Sequence, residues 1–168
     1  MPQEEKIYEM LQDGNDIVFN LRQKYPKILW AVIPDQIVVI GVTNKKRPAT
    51  QKKLAFITKI NPAMRTIIKT FGNKDVKYVI EVYASEFMQW SAPRRQWLMF
   101  HELLHVPGPD DKGLLDHDVE DQAVILDAVG IDWWSKDSLP DILSGDTFPF
   151  REELALRLHN SNPYDSDV

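Results

Sequence analysis

Two stretches of the chain, Gln36 to Thr43 and Lys77 to Tyr83, run through β-branched and aromatic residues with few polar breaks, at the length of a single strand. The second, Lys-Tyr-Val-Ile-Glu-Val-Tyr, is the clearest strand signal in the sequence. Lys27 to Ile33 is also rich in Ile, Leu, Trp and Val, and Pro34-Asp35 divides it from the Gln36 stretch, so the pattern predicts a hairpin. Lys53 to Ile60 alternates only in part and predicts a further strand. Elsewhere the apolar positions recur at helical spacing. Residues 3–11 and 15–24 predict two helices, the second stopped where Lys24-Tyr25 meets Pro26. Asn61-Pro62 is a cap followed by a first-turn proline, opening a short helix that ends at Phe71-Gly72. Ser91 before Ala92-Pro93 opens another, which runs to about His105 and spaces Trp97, Phe100 and Leu104 along one side.

Val106-Pro107-Gly108-Pro109 ends that helix, and a polar loop leads to Asp116-His117-Asp118. A helix from about Asp118 to Val129 is then closed by Gly130. Ile131 to Leu143 and Arg151 to Leu158 mix short helical pieces, with Trp133-Trp134 read as closing the core. The expected organisation is a single domain over residues 1–160, with a polar tail over 161–168.

Composition narrows the class. With 168 residues, 43% of them hydrophobic and 27% charged, the chain has the make-up of one ordinary folded domain. It has no Cys, which excludes disulfides and thiolate metal sites and leaves His and carboxylates as the strong metal ligands. No apolar run approaches the roughly 18 residues of a membrane span, and the acidic start has no leader-like pattern, so a soluble protein with no membrane partner is expected. The net charge of −5 divides unevenly, into +7 over residues 1–100 and −12 over residues 101–168.

Within the acidic part lies His101-Glu102-Leu103-Leu104-His105. On a helix, residues four apart share a face, so the two imidazoles converge on one cation while the carboxylate beside them stays off the ligand set. Zinc is the expected ion. Glu102 is then the candidate general base for a water whose pKa the ion lowers to roughly 7. Three of the four His residues in the sequence fall between positions 101 and 117.

A catalytic zinc site takes three protein ligands and leaves a position open, so one ligand is still missing. His117 is the first candidate, with Asp116, Asp118 and Asp121 near enough in sequence to orient its ring. Asp111 is a rival, since glycine and a ligand follow the motif at that spacing in metzincins, but all five Met precede the end of the motif and no methionine turn can follow it. Glu120 is a third candidate by analogy with gluzincins.

The chain resembles the zincin-like phage metallopeptidases over about Leu29 to Asp127, on His-Glu-Leu-Leu-His and the later His117-Asp118-Val119-Glu120-Asp121. The resemblance implies an α+β, zincin-like fold, a small mixed sheet of about four strands packed against the active-site helix. It implies His101, His105 and His117 as zinc ligands, Glu102 as general base, and a peptide or protein substrate. In such proteins the substrate lies along an edge strand, for which Lys77 to Tyr83 is the expected track. Tyr83 and His159 are the candidates to steady the developing oxyanion. The expected location is the cytoplasm, that of the host if the chain is phage-encoded.

Two other function classes compete. One is a non-catalytic zinc-binding protein in which the ion fixes the loop from 106 to 117 for recognition of a host protein. The other adds nucleic-acid contact through Lys45, Lys46, Arg47, Lys52 and Lys53, a cluster that would equally serve to keep a strand edge soluble.

Overall fold

The computed structural model describes residues 5–43, 54–109, 111, 113–117, 121–145 and 151. Its centre is a four-stranded mixed sheet in the order β1-β2-β4-β3. The strands are β1 (Ile7–Met10), β2 (Ile37–Thr43), β3 (Ala55–Lys59) and β4 (Tyr78–Tyr83). β1 and β2 are antiparallel, β2 and β4 parallel, and β4 and β3 antiparallel. The two strands read most clearly from sequence are therefore the inner ones: Ile80 of β4 is paired with Val39 of β2 on one side and Ile57 of β3 on the other, and all three side chains are buried. This α+β architecture with a mixed four-stranded sheet is the one expected from the sequence.

The helices are α1 (Gln12–Lys24), α2 (Pro62–Gly72), α3 (Ala84–Gln89), α4 (Ala92–Leu103) and α5 (Ala123–Val129). α1 lies against β2 so closely that a Cβ on Gly14 would meet Val39 Cγ1 at 2.6 Å. At α2 the predicted cap is in place, with the Met64 N–H donating to Asn61 Oδ1 at 2.9 Å. Gly130 ends α5 with φ 83°, a left-handed backbone that a side chain would strain.

Three sequence expectations fail here. Residues 3–11 are not helical where described: Ile7–Met10 form β1, pairing Ile7 with Thr43 and Met10 with Ile40. Four residues carry too little periodicity to distinguish helix from strand, and the open side of β2 offers a backbone ladder that decides the matter. Lys27 to Ile33 is a run of turns rather than a strand. Its apolar residues Ile28, Leu29 and Val32 are buried all the same, but their backbone bonds are local, Leu29 to Tyr25 and Val32 to Leu29, and both sides of β2 are already taken by β1 and β4. The helix expected from Asp118 begins at Ala123 in the described chain. The expected helical piece over Arg151 to Leu158, the basic cluster Lys45 to Lys53 and the tail after Ser161 lie outside the described residues, Arg151 excepted.

α4 is the core helix. From Gln96 onward nearly every residue is buried, with Trp97, Met99 and Phe100 fully enclosed. Trp97 meets Phe100 edge-on at 6.2 Å and donates its indole N–H to Pro140 O at 2.9 Å. Gln96 Oε1 accepts the Ile142 N–H at 3.0 Å, and the Tyr25 hydroxyl donates to the Ile142 carbonyl. These bonds tie the segment around residue 140 to the helix that carries the motif. Trp97→Ala is expected to destabilise the fold by about 3–5 kcal/mol, measured by denaturant unfolding, because it removes a large enclosed side chain and its hydrogen bond to Pro140 O. Among the described residues, no helix is long and apolar enough to cross a membrane.

Candidate metal centre

α4 delivers His101 and Glu102 from its last turn. The chain then tightens, with Leu104 N–H bonding back to Phe100 O and His105 N–H to Glu102 O, which keeps His105 one turn beyond His101. The following loop is folded back twice. Gly108 N–H donates to Asp111 Oδ2 at 2.8 Å while Asp111 N–H returns to Gly108 O, a local turn. Leu115 N–H then donates to His105 O, and His105 Nδ1 lies 2.5 Å from Leu115 O. That clamp brings His117 over the motif.

The three Nε2 atoms converge. His105 Nε2 is 3.4 Å from His101 Nε2, and His117 Nε2 is 3.2 Å from it. Donor atoms of all three residues lie within 4.8 Å of one another, the one such cluster of His and carboxylates among the described residues. Nitrogens held at about 2.0–2.1 Å from a tetrahedral zinc stand roughly 3.3 Å apart, so the observed separations fit the ion. The outer nitrogens say the same. His105 Nδ1 faces a carbonyl and His101 Nδ1 lies 2.8 Å from Asp121 Oδ1, so each ring carries its proton on the outside and turns a lone pair inward. Lone pairs aimed at one point repel unless a cation sits there.

The charge state at His105 suits ligation, whereas at His101 a cation would have to displace a proton. Burial, above all, lowers the His105 pKa to about 4, so its ring is neutral near pH 7. At His101 burial opposes the charged form, but the contact with Asp121 and the neighbouring Glu102 charge outweigh it and the pKa is raised. Asp121 is buried, which disfavours its charge, yet the His101 contact, the Trp133 indole and the Gln122 N–H bring its pKa down to about 2. Its Oδ2 accepts the Trp133 Nε1–H at 2.8 Å and its Oδ1 the Gln122 N–H at 2.6 Å. Glu102 is buried beside the triad, its pKa raised by desolvation against the pull of His101 and of a hydrogen bond from the Ile57 backbone. A strand of the sheet thus orients the carboxylate beside the triad.

Of the ligand candidates, His117 is brought to the motif, whereas Asp111 is turned into its own loop and Glu120 lies outside the described residues. Asp121 was expected near His117 and instead holds His101. Trp133, read from sequence as core closure, does more: it is buried, its ring lies 5.7 Å from that of His101, and it anchors Asp121. No spacing rule could have found it, since the contact depends on how the turn after α5 returns to α4. Tyr83 is buried and does not line the cavity beside the triad, and His159 lies outside the described residues. The substrate track expected on Lys77 to Tyr83 is excluded, because β4 is hydrogen-bonded on both sides; of the two described edge strands, β1 and β3, it is β3 that lines the cavity beside the triad.

Asp121→Ala is expected to weaken metal binding by about 10–100-fold, read by competition with a chromophoric chelator. Trp133→Phe, which keeps an aromatic side chain but removes the N–H donor to Asp121, should produce a smaller loss in the same direction.

A mixed sheet, a buried helix ending in convergent imidazoles and a carboxylate beside them define a protein of the metallopeptidase type. The chain belongs to the family described as "Putative phage metallopeptidase", whose model matches residues 4–138 and so takes in the whole sheet, the triad and Trp133. No curated protein and no solved structure matches it.

Proposed function

We propose that the chain is a zinc-dependent peptidase that hydrolyses peptide bonds with His101, His105 and His117 as ligands and Glu102 as general base. The observation that carries this reading is the approach of the His105 and His117 Nε2 atoms to within 3.4 and 3.2 Å of His101 Nε2, beside a buried carboxylate. An ion held there supplies two things: it acidifies a water and polarises the scissile carbonyl. Glu102 takes the proton from the attacking water and later passes it to the leaving amine, with the Ile57 N–H keeping its carboxylate in place. A donor set of three imidazoles, rather than the four protein ligands of a closed structural site, would suit a catalytic ion. His101 is held by Asp121 and His105 by the Leu115 carbonyl, so two of the ligands are fixed before the ion arrives.

An extended peptide pairs with the open side of β3, which borders the cavity through Ala55, Phe56 and Ile57. The activity resides in one domain over residues 1–160 and acts in the cytoplasm, that of the host for a phage-encoded chain. Loss of hydrolysis in Glu102→Gln with metal retained is the test. Metal binding with no hydrolysis of any peptide by the unaltered chain would favour the recognition role instead.

A further inference from the structure

We propose that the substrate residue next to the scissile bond is a large apolar one, Leu or Phe in type, received by the cavity beside the histidine triad. This deepens the peptidase reading and rests on it. The cavity has a volume of about 720 Å³, within the usual range for a small-molecule site, and it is continuous with the triad and with Glu102. Its walls away from the histidines are apolar and come from four parts of the chain: Leu54 and Phe56 at β3, Leu98 on α4, Leu114 in the folded-back loop, and Ile131 and Trp134 after α5.

Polar chemistry in the cavity is already committed or of one sign. Glu102 takes the Ile57 N–H, and Asp121 is held between His101 and Trp133. Asp116 is exposed at the cavity, and no Lys or Arg is among the described residues that line it. An acidic side chain lying along the apolar wall would therefore meet carboxylates and no Lys or Arg, and a small polar one would leave that wall wet. Ile131 remains 52% exposed and Trp134 is half-buried, so the folded chain leaves apolar surface facing the place where a substrate side chain would lie. The Arg94 guanidinium donates to the Trp134 carbonyl and fixes that wall to α4.

The test measures binding rather than turnover. The full chain, loaded with zinc and checked by metal analysis, is titrated calorimetrically with N-acetyl amino-acid hydroxamates of Phe, Leu, Ser and Asp. The Phe and Leu compounds are expected to bind at least about tenfold more tightly than the Ser compound, with Asp the weakest. Ile131→Lys, at a half-exposed position, is expected to raise affinity for the Asp compound and lower it for Phe, a reversal that mere loosening of the fold would not produce. Equal affinities across the series, or an order that Ile131→Lys leaves untouched, would overturn the pocket assignment while the metal site stood. A zinc-loaded chain that bound none of the four would remove the open metal position, and the peptidase reading with it.

Discussion

Glu102→Gln is expected to lower hydrolysis of an unfolded protein substrate by about 10²–10⁴-fold while leaving metal content and melting temperature close to those of the parent. The substitution is nearly isosteric, and the amide oxygen still accepts the Ile57 N–H that holds the carboxylate. What it removes is the ability to accept a proton. Burial of Glu102 against the β3 backbone makes a neutral side chain there no harder to accommodate than a charged one, so the fold should tolerate it. Glu102 also lies outside the set of donor atoms that converge, so stoichiometric metal should survive. A variant that cleaved as fast as its parent would remove Glu102 from the reaction altogether.

The second large effect is expected at His117. Unlike His101 and His105, it is exposed and carried by a loop, so His117→Ala takes away a ligand without opening the core. The loss of metal affinity should exceed the roughly 10–100-fold that removal of an outer hydrogen-bond partner costs. Thermal melts with and without zinc give a direct reading. An ion present at 100 times its dissociation constant stabilises the folded chain by about 2.7 kcal/mol, and that increment should appear for the parent and vanish for the variant at the same zinc concentration. Asp111→Ala is the control, since its carboxylate serves the Gly108 turn, and the zinc-dependent increment should persist there. If Asp111→Ala abolished it and His117→Ala did not, the ligand set would have to be redrawn.

The convergence of the motif's side chains was more legible in the sequence than the topology was. Two His four apart on a helix with Glu between them carry their own geometry, and the structure brings those side chains together at the end of α4. The Asn61 cap, the Pro62 start and the run from Tyr78 to Tyr83 were equally readable, because each depends on neighbours a few residues away. Long-range pairing was not. The apolar content of Lys27 to Ile33 matched a strand, but burial of Ile28 and Leu29 requires only that they face the core, and turns do that as well as a strand. The position of β4 inside the sheet, which rules it out as the expected edge, follows from which strands find one another and leaves no mark in local periodicity.

The outer layer of the site was hidden for the same reason. His117 was within reach as a candidate, but the bonds between His105 and Leu115 that bring it home span ten residues of loop with no fixed spacing. Asp121 and Trp133 stand twelve residues apart and meet only because α5 and the turn after it return to the face of α4. Sequence reasoning finds ligands that share an element; partners that arrive from separate elements need the fold.

X-ray absorption at the zinc edge, on the purified chain loaded with zinc and freed of excess, addresses the central claim most directly. The account predicts one zinc per chain with three imidazole nitrogens at about 2.0–2.1 Å and one light oxygen scatterer in the remaining position. Substoichiometric zinc, or a shell closed by four protein ligands, would contradict it.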